Sequence, residues 1–155
     1  MHTSVVYLGS DHGGFAQKAR LLEALQADGC EVVDCGGYTP DAGDDYPDFA
    51  AKVGEEVSRN SEARGILLCR SGEGMEMAAN KIKGIRAALA WNTKVAEETR
   101  KDNDANVLVM PSDFVSEEET LAMARVFLAT EFSNEERHVR RLQKLHALEG
   151  GSYES

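Results

Sequence analysis

The 155-residue chain has the length of one compact domain, and its 42% hydrophobic content is ordinary for a globular protein. No apolar run approaches the roughly 18 residues of a membrane span, and residues 1–4 do not open a secretory leader, so no membrane partner is expected. A formal net charge of −10 argues against a nucleic-acid partner, and three cysteines without CxxC spacing argue against a disulfide framework or zinc site and for a reducing cytoplasm.

The pattern alternates strand and helix. Val5-Val6-Tyr7-Leu8 is a short apolar run that ends in Gly9-Ser10-Asp11-His12-Gly13-Gly14. Phe15, Ala19, Leu22 and Leu25 recur at helical spacing, and Gly29 stops that helix as a C-cap. Glu31–Cys35 reads as a second strand, and the polar, Gly- and Pro-containing stretch 36–48 as a loop. Pro47 stands where a helix starts, with helical periodicity from Phe49 to Val57. Gly65–Cys69 is almost wholly apolar, as in a central parallel strand covered on both faces. The loop 70–74 leads to a helix over Met75–Lys81. Arg86–Ala90 is the fourth strand, Thr93–Lys101 a helix and Val107–Met110 the fifth strand. Ser116 and Glu119 form a capping box, and a last helix spans Asn134–Leu148.

These elements predict a single α/β domain over 1–149: a Rossmann-like three-layer sandwich with a five-stranded parallel sheet and a C-terminal helix. Residues 150–155 are expected to be a flexible tail. Ligands of such sheets bind at the carboxyl ends of the strands, near a switch point. That rule selects the loops after strands one, three and four, the last starting at Asn92.

In the segment Cys69-Arg70-Ser71-Gly72-Glu73-Gly74, a cysteine ends a buried strand and glycines precede a helix. Free N–H groups at the helix start suit an oxyanion and would favour the thiolate of Cys69. A base beside an anion pocket is what proton abstraction next to a carbonyl requires. A buried cysteine before an ordinary βα turn fits the pattern equally well. Asp11 could orient hydroxyls or simply cap a helix, and His12 could meet a phosphate. The segment is neither GxGxxG nor a P-loop. In Asp44-Asp45-Tyr46-Pro47-Asp48, a carboxylate and a phenol such as Asp45 and Tyr46 could bind hydroxyls or form a solvated turn. Arg137, Arg140 and Arg141 share a helix side, suited to phosphate or to ion pairs with Glu135 and Glu136. Cys30, Cys35, Tyr7, Met77 and Trp91 are expected to pack in the core.

Together these segments resemble the ribose-5-phosphate isomerase B family, which includes the galactose-6-phosphate isomerase subunits. The resemblance runs through Ser10-Asp11-His12, Asp45 to Ala50, Gly65 to Cys69, Ala78 to Lys81, Gly84 to Ala88, Asn103 to Val107 and Glu136 to Arg141. It implies a cofactor-free, metal-free aldose–ketose isomerase acting on a sugar phosphate. The resemblance also implies a homodimer or homotetramer with sites shared between subunits. Cys69 matches the base that moves a proton between C1 and C2 through a cis-enediolate, and Ser71 a residue beside that intermediate. Gly72 and Gly74 match its anion pocket, Asp11, Asp45 and Tyr46 groups around the sugar, and Asn103 a contact from the partner. His12, Arg137 and Arg141 match phosphate ligands.

The chain also departs from that family. Arg70 and Glu73 replace small residues of the loop, with Arg70 able to supply charge to a phosphate. Met75 stands where some members carry a catalytic Glu, with Glu76 beside it. Asp102 replaces a His assigned to opening the cyclic sugar, and Asp113 an Arg of the phosphate site. These changes point to a substrate other than ribose 5-phosphate. A tetrose 4-phosphate fits, because its O4 carries the phosphate and no furanose ring can close. The alternative is an inactive sugar-phosphate-binding subunit of a mixed oligomer.

Overall fold

The computed structural model describes residues 4–150. Residues 151–155 of the expected tail lie outside the described residues. The elements are β1 Val6–Ser10, α1 Phe15–Ala27, β2 Val32–Asp34, α2 Tyr46–Ser58, β3 Arg64–Cys69 and α3 Glu73–Ala79. They continue with β4 Ala87–Leu89, α4 Thr93–Asn103, β5 Val107–Pro111, α5 Glu117–Ala129 and α6 Glu136–Leu148. All five strands are parallel, in the order β2-β1-β3-β5-β4.

Alternation along the strands separates two cores. Val6, Leu8, Ile66, Leu68, Leu108 and Met110 point to one face, where Leu21, Leu25, Ala96, Met123 and Phe127 cover them from α1, α4 and α5. Leu67, Cys69, Val107 and Val109 point to the other, against Val53, Val57, Met75 and Ala79 of α2 and α3. β3, in the middle, is buried on both faces, which is why its sequence is apolar throughout. The Ser116–Glu119 capping box forms as expected.

β5 lies between β3 and β4, so the expected binding loop after strand four is displaced. Asn92 follows the edge strand and caps α4 by accepting from the Val95 N–H. Its place beside the β3 loop is taken by the segment after β5. The Ser112 N–H donates to the Cys69 carbonyl at 2.9 Å, and the Asp113 N–H to the Arg70 carbonyl at 3.0 Å. Two expected core residues are also corrected. Trp91 is 58% exposed because it follows the edge strand, and Met77 is 61% exposed on the outer side of α3. Tyr7 and Cys35 pack in the α2/α3 core, and Cys30 against the opposite one.

One polar residue belongs to the core-facing stripe of α1. Lys18 is buried alongside Leu21 and Leu25. Its ammonium donates to Asp34 Oδ1, the Gly36 carbonyl and the Gly37 carbonyl, each at 2.8 Å. The turn after β2 is thereby held against the end of β1, where the Ser10 N–H reaches the Gly36 carbonyl. Removing one partner of a buried ion pair strands the other. Lys18→Met is therefore expected to lower the unfolding free energy by about 3 kcal/mol, near the low end for such pairs because Asp34 keeps some solvent contact. Urea titration of the two proteins measures this difference.

Candidate active site

β1 and β3 are neighbours, yet the chain continues from β1 to β2 on one side and from β3 toward β4 on the other. Their carboxyl ends therefore flank a crevice, the expected place for a ligand. Cys69 ends β3 at its floor, 5% exposed. The Gly72 N–H donates to its sulfur at 3.2 Å. Gly72 has φ +81°, which turns the chain sharply into α3, and a Cβ there would lie 2.4 Å from Leu89 Cδ1.

The charge state of Cys69 differs from the expected one. Burial pushes the thiol above its ordinary range. The N–H groups of Met75, Gly72 and Ser71 pull it back, while Asp11 adds a further upward push. Burial wins, so the thiol form dominates at neutral pH. The Gly72 N–H, expected at a ligand's oxyanion, faces the sulfur instead. A buried thiolate partnered by backbone N–H groups is a strong base once formed. Glu76 does not compete for this role, because its carboxylate accepts from the Leu89 N–H at 3.0 Å, and Met75 is fully buried.

Across the crevice, Asp11 is the cap of a 3-10 turn, His12–Gly14, and accepts from the Gly13 N–H at 2.9 Å. Burial, its largest influence, raises its carboxyl above the usual range. His12 bonds through Nδ1 to Asp44 Oδ1 at 2.6 Å, and its backbone N–H reaches the same oxygen at 3.3 Å. That hydrogen bond holds the imidazole above its ordinary pKa. The sequence offers Asp44 only as one acidic residue of the segment 44–48; a residue 32 positions away finds His12 only through the fold. Asp11, His12 and Asp44 bring three potential metal donors within 4.8 Å of one another. The 2.6 Å contact is a hydrogen bond, however, and shorter than the roughly 3.3 Å between two ligands of a tetrahedral zinc ion.

Tyr46 opens α2 and lays its ring over Gly74, where a Cβ would come within 2.7 Å of the ring. Asp45 precedes it, exposed and without a side-chain cap bond. Ser71 and Glu73 are exposed in the loop and first turn. Arg70 packs its stem on Gly13 and donates from Nε to Asp113 Oδ2 at 3.0 Å. The arginine expected to offset Asp113 is thus tied to that very carboxylate. Ser10 Oγ, Asp44 Oδ2 and Ser112 Oγ are buried without a partner among the described residues. All three belong to segments at this edge of the sheet.

The remaining predicted residues lie elsewhere. Asp102 and Asn103 end α4, which runs back to the start of β5, so they stand at the amino edge of the sheet. A five-residue strand, about 16 Å long, separates that edge from Cys69. Buried Arg100 fixes this corner by donating to Asp104 Oδ1, the Ala105 carbonyl and the Thr130 carbonyl. The Ser133 N–H meets the Lys101 carbonyl, and His138 lies 3.4 Å from Asp102. Arg137 and Arg141, on α6, join this second cluster. Arg137 pairs with Glu135 at 2.9 Å, and Arg140 and Arg141 form no ion pair among the described residues.

The family model described as Ribose/Galactose Isomerase matches residues 6–145. A ribose-5-phosphate isomerase B of Mycobacterium tuberculosis is 39% identical over 140 residues, covering 90% of this chain and 86% of that protein. A putative sugar phosphate isomerase of Bacillus subtilis is 39% identical over 140 residues, covering 90% and 93%. The crystal structure of ribose-5-phosphate isomerase B from Mycoplasma genitalium with bound ribulose-5-phosphate aligns with a TM-score of 0.92 at 41% identity. It covers 96% of this chain and 99% of that one.

The opposing influences on Cys69 make its reactivity pH-dependent in a defined direction. Only the thiolate alkylates, and the pKa is raised, so carboxamidomethylation by iodoacetamide is expected to accelerate about tenfold per pH unit from pH 6 to 8. Peptide mapping separates Cys69 from Cys30 and Cys35. A rate that levels off below neutrality would show a depressed pKa instead.

Proposed function

This chain belongs to the ribose/galactose isomerase family and is a sugar-phosphate isomerase interconverting aldoses and ketoses; we propose that Cys69 is its base and a tetrose 4-phosphate its preferred substrate. The observation carrying this reading is the Cys69 sulfur at the carboxyl end of β3, ringed by backbone N–H groups and facing Asp11. The thiolate takes the proton from the carbon beside the carbonyl. The C–H pair moves into the C1–C2 bond, and the carbonyl oxygen becomes the enediolate oxyanion. The proton of the neighbouring hydroxyl passes to that oxyanion, so that the second oxygen becomes the new carbonyl as the thiol returns its proton to the other carbon and the thiolate is regenerated. Ser71 stands beside the intermediate, with Gly72 and Gly74 giving the loop its close approach. Asp11, Asp45 and Tyr46 hold hydroxyls, and His12 and Arg70 the phosphate.

Two observations favour the short substrate. Asp102, where the resemblance expects the ring-opening His, is paired with His138. Asp113 engages Arg70, which leaves less free positive charge for the phosphate than an unpaired arginine would supply. A tetrose 4-phosphate has no furanose to open. Solvent deuterium exchange and turnover, measured across phosphorylated aldoses of four to six carbons, test both points. The expected kcat/KM is highest for a tetrose 4-phosphate. Cys69→Ala is expected to lose about a thousandfold in exchange. A clear preference for ribose 5-phosphate would overturn the substrate proposal, and a fully active Cys69→Ala the base.

The amino-edge cluster supports a homodimer or homotetramer in which Asn103, Arg137 and Arg141 of a second copy complete each site, since none reaches Cys69 of its own chain. Cys69→Ala and Arg141→Ala are expected to be weak alone. Refolded together, they should recover about a quarter of the wild-type activity, because half of the dimers carry one intact site. Recovery absent in mixed dimers places both residues in one chain's site. The three unpaired thiols suit a reducing cytoplasm.

A further inference from the structure

Among the described residues His12 is the one imidazole in the crevice, and its orientation is set by a residue that no role above uses. Asp44 reaches it from the loop between β2 and α2. Its Oδ1 meets both the ring Nδ1 at 2.6 Å and the backbone N–H at 3.3 Å. The Asp44 side chain is only 10% exposed, and its Oδ2 is buried without a partner among the described residues. The loop is built to deliver it. Lys18 pins Gly36 and Gly37, the Gly43 N–H donates to Asp41 Oδ1, and the Asp44 N–H donates to the Asp41 carbonyl.

An imidazole bound through Nδ1–H to a carboxylate has two forms with opposite behaviour at its other nitrogen. Neutral, Nε2 carries a lone pair that repels an anion; protonated, it carries an N–H that donates to one. A carboxylate at hydrogen-bond distance favours the second form. We propose that Asp44 is a positioning residue of the anion pocket, holding the His12 ring by its Nδ1 edge so that Nε2–H is presented to the phosphoryl group of the substrate. The inference rests on the reading of His12 as a phosphate ligand. Asp11 and Asp44 favour the charged ring, while partial burial and Arg70, from the loop after β3, oppose it. Arg70 is itself paired with Asp113, which moderates that opposition.

Asp44→Asn keeps the shape and removes the charge. The probe is inorganic sulfate, a dianion throughout the range, followed through the His12 ring signals by NMR between pH 5.5 and 9. His12 of Asp44→Asn is expected to titrate at lower pH than in the wild type. Its sulfate affinity should drop about tenfold near pH 7.5 and much less at pH 5.5, where the ring is charged in both proteins. An unchanged His12 titration overturns the proposal. So does a loss of sulfate binding that is equal at both pH values, which marks a collapsed loop. His12→Gln supplies an arm that does not depend on how Asp44→Asn folds: the double variant should bind sulfate no more weakly than His12→Gln alone, and a further loss overturns the proposal. None of these readouts uses a sugar, so a failed isomerase assay and a failed dyad are told apart.

Discussion

The structure depends on the side-by-side placement of β1 and β3 with the chain leaving them in opposite directions. That reversal opens a crevice between their carboxyl ends. It forces residues from positions 11–13, 69–74 and 112–113 to share one edge. Close approach follows from it. A Cβ on Gly13 would collide with the Arg70 stem at 2.2 Å, so the two loops meet only because one side is bare. The buried ammonium of Lys18 extends the arrangement by holding the β2–α2 segment over the same edge, and with it Asp44 and Tyr46.

Within that edge, burial and hydrogen bonding act against each other on each ionisable group, and different forces win. At Cys69, burial outweighs the backbone N–H groups around the sulfur. At Asp11, burial outweighs the Gly13 N–H. At His12, the short bond to Asp44 outweighs burial. The crevice therefore shifts both the thiol and the imidazole toward their protonated forms. Such a site is poised to admit an anion first and to form its thiolate as a minority species. A base with a raised pKa has greater driving force for taking a weakly acidic C–H proton, at the cost of a smaller active fraction.

The features legible in the sequence are those written in local pattern. The apolar run of β3 announced a strand covered on both faces, and Ser116 with Glu119 announced the start of α5. Cys69, Asp11 and His12 were legible because each ends a strand or opens a turn. Strand order was not, since β4 and β5 are both short apolar runs with helices before and after them. One signal was available: Val107–Pro111 is bulkier and longer than Ala87–Leu89, as suits an interior rather than an edge position. Asp44 was one of several acidic residues in a polar loop, and nothing local distinguishes it from Asp45. Its partner is fixed by how Lys18 folds the preceding turn. Met77 and Trp91 misled because large apolar side chains suggest burial, whereas an edge strand and a short two-turn helix leave their outer sides to solvent.

Charge adds a last constraint. A chain of net charge −10 repels a sugar phosphate at long range, so capture must come from cations concentrated in the crevice. Yet the two basic side chains that this chain's own described residues bring there are each paired, His12 with Asp44 and Arg70 with Asp113. The two pairs differ in kind. Asp44, its side chain only 10% exposed, takes the Nδ1 edge of the ring, so the bond that favours the charged form of His12 leaves Nε2 available. Asp113 is exposed and takes Nε of a guanidinium whose side chain is largely in solvent. The first pair is the less exposed and less screened of the two and favours the charged ring; the second is screened and readily exchanged. In the proposed roles of these residues, a phosphate draws Arg70 away from Asp113 at little cost, while Asp44 holds the His12 ring in place.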